Sequence, residues 1–226
     1  MRFLKVSLKK NNSGFTIIEL LIATSVFSII LLIATYAIIQ ISRTYIRGYI
    51  SSETQNTNRA ILDQVTQAVQ LSTAGSVTIP TAGEGNGAAY TDGTQTGKIY
   101  WFCVNGERYT WVTGVELTSG VPSVFLQDAG PVGCTSPATL ASPPAGSKEL
   151  LSNKMQILPS TGTLISLNNN VPGAGLYDLQ LNLLYGDPGA YLTSGTNQYC
   201  ASISEGGAFC SVSSINTTVE ERTTAL

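Results

Sequence analysis

Residues 15–39, FTIIELLIATSVFSIILLIATYAII, are an apolar run of 25 residues in which Glu19 is the only charge. As a helix this run is roughly 38 Å long, enough to cross a bilayer with some tilt. The residues before it carry Arg2, Lys5, Lys9 and Lys10 and no acid. A basic flank stays in the cytoplasm, so the remainder of the chain is expected outside. A secretory signal has a shorter apolar core followed by a small-x-small cleavage site. Here the run leads into QISRTYIRGY, so the segment from Phe15 to Ile39 is expected to be retained as an anchor. A plain anchor does not account for Glu19, because an acid near mid-bilayer costs about 2.5–3.5 kcal/mol on insertion scales.

Helical spacing continues past the apolar run. Apolar or small residues recur at Ile46, Ile50, Thr57, Ala60, Ile61, Val65, Ala68 and Val69. No proline occurs before Pro80, and a helix over about 15–71 is expected, ending near Ala74–Gly75. Its second half reads as an amphipathic stem whose apolar stripe packs on a sheet. From residue 76 the chain changes to short β-rich runs between Gly, Pro, Asn and Ser turns. Expected strands lie at 76–79, 98–104, 107–113, 154–158, 164–167, 177–185, 199–203 and 212–215. Asn105–Gly106 is a two-residue hairpin signal. Tyr177, Leu179, Leu181, Leu183 and Tyr185 alternate with polar residues, as in a half-buried strand. Residues 83–97 and 131–147 read as loops. The expectation is an α+β chain, a long membrane-spanning and stem helix packed on an antiparallel sheet. Its divisions are a basic leader (1–14), an apolar helix (15–39), a stem helix (40–75) and a β-rich extracytoplasmic head (76–226).

Several function classes are disfavoured. The chain has no histidine, which removes the commonest general base and metal ligand. No nucleophile elbow or phosphate loop is present, GEGNG at 83–87 lacks a strand–helix context, and the acids of the head are scattered. No enzyme activity, cofactor or metal site is expected. From residue 76 on, five basic residues face eleven acids, a net of −6, the wrong sign for nucleic acid. Tyr100, Trp101, Phe102, Tyr109 and Trp111 cluster around the hairpin and read as sheet core or interface rather than a stacking platform. The four cysteines, Cys103, Cys134, Cys200 and Cys210, form no C-x-x-C pair and read as two disulfides in an oxidising compartment. Three pairings are possible. Cys200–Cys210 is favoured as a local clamp, and hence Cys103–Cys134.

The basic leader, Gly14 and FTIIELL together resemble the class III-type leader of type IV pilins and the related pseudopilins. The resemblance covers about the first 40 residues. It implies a pilin fold and cleavage by the prepilin peptidase between Gly14 and Phe15, with Phe15 N-methylated as the new N-terminus. Glu19 would then be an assembly residue that meets the terminal amine of a neighbouring subunit and sets axial register. The implied partners are other pilin subunits, the prepilin peptidase/methyltransferase, an inner-membrane assembly platform and, before assembly, the membrane. The implied location is the cytoplasmic membrane, crossed once with the N-terminus inside, and then a cell-surface filament. Residues 15–47 lack the helix-breaking Gly or Pro frequent in major pilins. The order of hairpin, Pro-rich loop and YDLQLNLLY strand resembles J-type pseudopilins and W-type minor pilins. A minor pilus subunit is therefore expected. The alternatives are a pseudopilin of a type II secretion system and a membrane-anchored surface adhesin.

Overall fold

The computed structural model describes residues 14–80, 86–92, 95–118, 123–128, 134–135, 145–167, 175–187, 189–194, 197–202 and 207–222. The basic leader residues and most of the 131–147 loop lie outside them. A long α-helix, α1 (Ile17–Gln70), is followed by a strand-rich region, giving an α+β chain. Two compact units divide it, Met1–Thr44 and Tyr45–Leu226, so the second half of α1 belongs with the sheet.

In chain order the strands are β1 (Val77–Thr78), β2 (Ala88–Asp92), β3 (Gln95–Val104), β4 (Glu107–Thr113), β5 (Phe125–Gln127) and β6 (Lys148–Glu149). They continue with β7 (Met155–Ile157), β8 (Ile165–Leu167), β9 (Leu176–Tyr185), β10 (Tyr191–Ser194), β11 (Asn197–Cys200) and β12 (Ser211–Glu220). The main sheet runs β1-β3-β4-β7-β9-β12, with β2 on β3, β5 between β4 and β6, and β8 on β9. Its pairings are antiparallel except β4 with β7, which meet in parallel at Thr113 and Ile157. β10 and β11 form a separate two-stranded ribbon.

The β3–β4 hairpin turns at Asn105 and Gly106, whose φ angles of 52° and 83° are those a tight hairpin turn demands. Only glycine fits at position 97, where a Cβ would stand 2.1 Å from the Thr113 carbonyl oxygen. The segment read as a loop over 83–97 instead contributes β2, paired with β3 from Ala88↔Ile99 to Asp92↔Gln95. AAYTD has little strand propensity of its own; the exposed edge of β3 supplies its partner. β5, β6 and β10 are likewise short strands made by their neighbours. The last strand covers the expected 212–215 and continues to Glu220. Beyond it the buried Glu221 carboxylate accepts from the Ser72 hydroxyl (3.3 Å), the Ser76 amide (3.2 Å) and the Tyr177 hydroxyl (3.3 Å).

Within the larger unit, α1 buries Ile50, Thr54, Asn58, Ile61, Leu62, Val65 and Val69, one stripe at spacings of three and four. Ile61, Leu62, Val65 and Val69 share a core with Phe102, Tyr109, Trp111, Phe125, Leu179 and Leu181. The stripe is rotated from the expected one: Ala60 is exposed, while the polar Thr54 and Asn58 are fully buried. Both side chains make hydrogen bonds there, although Asn58 Oδ1 finds no partner among the described residues. Thr54 donates to the Ile50 carbonyl at 2.8 Å. The Asn58 amide donates to the Leu181 carbonyl (3.2 Å), the Ser213 carbonyl (3.2 Å) and the Ser213 hydroxyl (3.0 Å). One side chain thus ties α1 to both β9 and β12. Asn58→Ala is expected to lower unfolding free energy by about 2 kcal/mol, since the Leu181 and Ser213 acceptors lose their side-chain donor inside the core. Denaturant titration of the full chain in detergent measures it, and a loss below about 0.5 kcal/mol would show the contact to be dispensable.

Opposite the main core, Leu158, Leu184, Ala190 and Cys210 form a second cluster with Tyr191 and Cys200. Leu184 points away from Leu183, which faces the main core, as strand alternation requires.

Candidate functional site

The N-terminal end of α1 is built from local interactions. Gly14 and Phe15 precede the first helical residue, Ile17, so the Gly14–Phe15 bond lies outside the helix. Gly14 has no heavy atom within 4 Å of where a Cβ would stand, and Phe15 is 77% exposed. A peptide bond in non-helical, open backbone is the kind a protease can take up in extended form.

Two residues on, Thr16 and Glu19 form a reciprocal cap. The Thr16 amide and hydroxyl donate to Glu19 Oε2 at 2.9 and 2.8 Å. The Glu19 amide donates back to Thr16 Oγ1 at 3.3 Å. This is a capping box, T-x-x-E, which satisfies amides that have no partner within the helix. Both side-chain bonds use Oε2; Oε1 accepts none from any described residue. Thr16 was not among the residues read as functional from the sequence, although the T-x-x-E spacing carries the signal. Glu19 is the one acid in the first turn of α1, where the helix dipole favours negative charge.

The helix beyond Glu19 is long and apolar enough to cross a membrane, and that stretch is unburied within the chain. Its serine and threonine hydroxyls bond the helix's own carbonyls. Thr24 donates to the Leu21 carbonyl (3.0 Å), Ser25 to Ile22 (2.8 Å), Ser28 to Thr24 (2.8 Å) and Thr35 to Leu31 (2.8 Å). With these four hydroxyls bonded to helix carbonyls and the Tyr36 hydroxyl accepting from the Gln40 amide at 3.0 Å, the segment suits an environment without water. Glu19 is left as its only charge.

In the sheet unit, Cys200 at the end of β11 is bonded to Cys210, just ahead of β12, with a Cα–Cα distance of 5.4 Å. The second expected pair is open in this structure. Cys103 and Cys134 are unlinked thiols, the first buried and the second exposed. Burial pushes the Cys103 thiol up, and the neighbouring Cys134 thiol pushes it further. Beside them Arg108 Nε pairs with Asp128 at 2.7 Å. The aromatic cluster of the hairpin is interior: Trp101, Phe102, Tyr109 and Trp111 are buried. Phe102 and Tyr109 stack at 4.9 Å, and Tyr100 stacks on Trp111 at 5.8 Å. Among the described residues no three Cys, Asp or Glu side chains gather as a metal site would require.

Compared with known proteins, residues 9–35 match the family model described as the prokaryotic N-terminal methylation motif. No curated protein and no solved structure gave a significant match to the chain. The matched segment contains Gly14, Phe15, Thr16 and Glu19 and extends into the exposed apolar helix. This motif, with its class III signal, marks precursors of structural pilin-type subunits that are processed by prepilin peptidase and assembled with other subunits. A methylation motif at residues 9–35, followed by a long apolar N-terminal helix, makes the chain consistent with a type IV pilin-like protein.

Proposed function

We propose that this chain is a structural minor subunit of a type IV pilus. The leader is cut between Gly14 and Phe15, and Phe15 becomes an N-methylated terminus. Before assembly the residues around 15–39 span the cytoplasmic membrane, with the basic leader inside and the sheet unit outside. Assembly then packs the apolar helices of successive subunits into a filament core. Glu19 sets the register. Cleavage creates an amine at Phe15, and the amine of one subunit pairs with the Glu19 carboxylate of the next. Away from water such a pair is strong, and an unmatched charge is costly. The capping box holds Oε2 within its own chain and leaves Oε1 for the neighbour.

The observation that carries this reading is the placement of the chain's only intramembrane charge in the first helical turn, five residues past Gly14, within the matched motif. The uninterrupted helix through residue 70 and the length of the sheet unit support a minor rather than a major subunit. Filaments sheared from cells test it. Expected is the processed chain in the sheared fraction, at substoichiometric amounts relative to a major pilin. Recovery of the chain in the membrane fraction alone contradicts the reading.

A further inference from the structure

We propose that Cys103 and Cys134 close into a second disulfide, which fastens the 134–135 segment to the β3–β4 hairpin. The placement comes from Arg108. Cys103 and Arg108 are direct partners across β3 and β4. Arg108 Nη1 donates to the Thr135 carbonyl at 2.9 Å, while its Nε is fixed by Asp128 at 2.7 Å. The guanidinium therefore holds the residue after Cys134 next to the strand partner of Cys103. Asp128 is itself held, its amide donating to the Arg108 carbonyl at 2.9 Å.

Exposure sets the order of the chemistry. Cys103 is fully buried and Cys134 is exposed, so an oxidant meets Cys134 first. The Cys134 thiolate attacks the disulfide of a protein disulfide donor or of oxidised glutathione, forming a mixed disulfide and releasing one oxidant thiol. Cys103 then attacks the Cys134 sulfur, its proton passing to the departing thiolate, which leaves as the second oxidant thiol. Two protein thiols are oxidised, and one oxidant disulfide is reduced to two thiols. Burial, which pushes the Cys103 thiol up, fits the second role. In a cell the step depends on the sheet unit lying outside the cytoplasm, as proposed above.

The full chain in detergent, incubated with oxidised glutathione, denatured, alkylated with iodoacetamide and digested, tests the bridge. Expected is a Cys103–Cys134 linked peptide and loss of alkylation at both residues. Cys103→Ser is expected to accumulate a glutathione adduct on Cys134, whereas Cys134→Ser leaves Cys103 unmodified. Alkylation of Cys103 and Cys134 while Cys200–Cys210 stays closed overturns the proposal, as does a glutathione adduct persisting on Cys134 of the unaltered chain. The same trapping in intact cells separates the two readings. A bridge that forms in the purified chain but not in cells counts against the extracytoplasmic placement and leaves the bridge standing.

Discussion

Glu19→Gln is expected to leave cleavage and membrane insertion intact while lowering incorporation into filaments by at least about tenfold, the equivalent of about 1.4 kcal/mol per contact. The substitution isolates charge from helix capping. Glutamine at the third helical position also serves a capping box, so the Thr16 bonds at 2.8–2.9 Å retain an acceptor. What disappears is the negative charge available to a neighbour's amine. Thr16→Val supplies the counterpart. It removes the cap, worth about 1 kcal/mol, and keeps the carboxylate. If capping were the whole role of Glu19, the valine variant would fail and the glutamine variant would assemble. Immunoblots of sheared filaments and of membrane fractions, compared at equal levels of processed chain, read both outcomes. Incorporation of Glu19→Gln at the unaltered level removes the charge-pairing account.

Trp111→Ala is expected to cost the sheet unit about 3–5 kcal/mol. Trp111 has no exposed surface. Its ring lies 5.8 Å from Tyr100, 5.8 Å from Phe102 and 5.9 Å from Phe125. Its indole Nε1 donates to the Gly162 carbonyl at 3.2 Å. Truncation empties the centre of the core that also receives α1, and it orphans that carbonyl. Small domains hold about 5–15 kcal/mol in total, so the variant sits near the limit of folding. Cleavage at Gly14–Phe15 depends on local backbone and should persist, which gives a processed but rapidly degraded chain. Trp111→Phe keeps most of the ring contacts and should be much milder. Thermal denaturation of the full chain in detergent gives the size of the effect. An unchanged melting temperature for the alanine variant would place Trp111 outside the core.

The parts of this protein that sequence reveals are those whose determinants are neighbours in the chain. Gly14, Phe15 and Glu19 are spaced by covalent geometry, and the long apolar helix declares itself by composition. The Asn105–Gly106 turn depends on two residues with positive φ, and the alternation of β9 is visible residue by residue. What stayed hidden depends on distant partners. Asn58 looks like a solvent-facing stem residue until Leu181 and Ser213, 123 and 155 residues away, supply its acceptors. β2 is a strand because β3 offers an edge, and AAYTD itself says little. The parallel meeting of β4 and β7 joins segments separated by two strands in the chain. At the N-terminus the omission was of another kind: Thr16 was legible through its spacing to Glu19, and the cap shows that the acid has a local role before any neighbour arrives.

The N-terminus of the mature protein tests the central claim most directly. Intact-mass and peptide mass spectrometry of the chain recovered from cells should show a chain that begins at Phe15 and carries one added methyl on its amine. A chain that still begins at Met1, with the Gly14–Phe15 bond unbroken, contradicts processing, and with it the terminal amine on which the role of Glu19 depends.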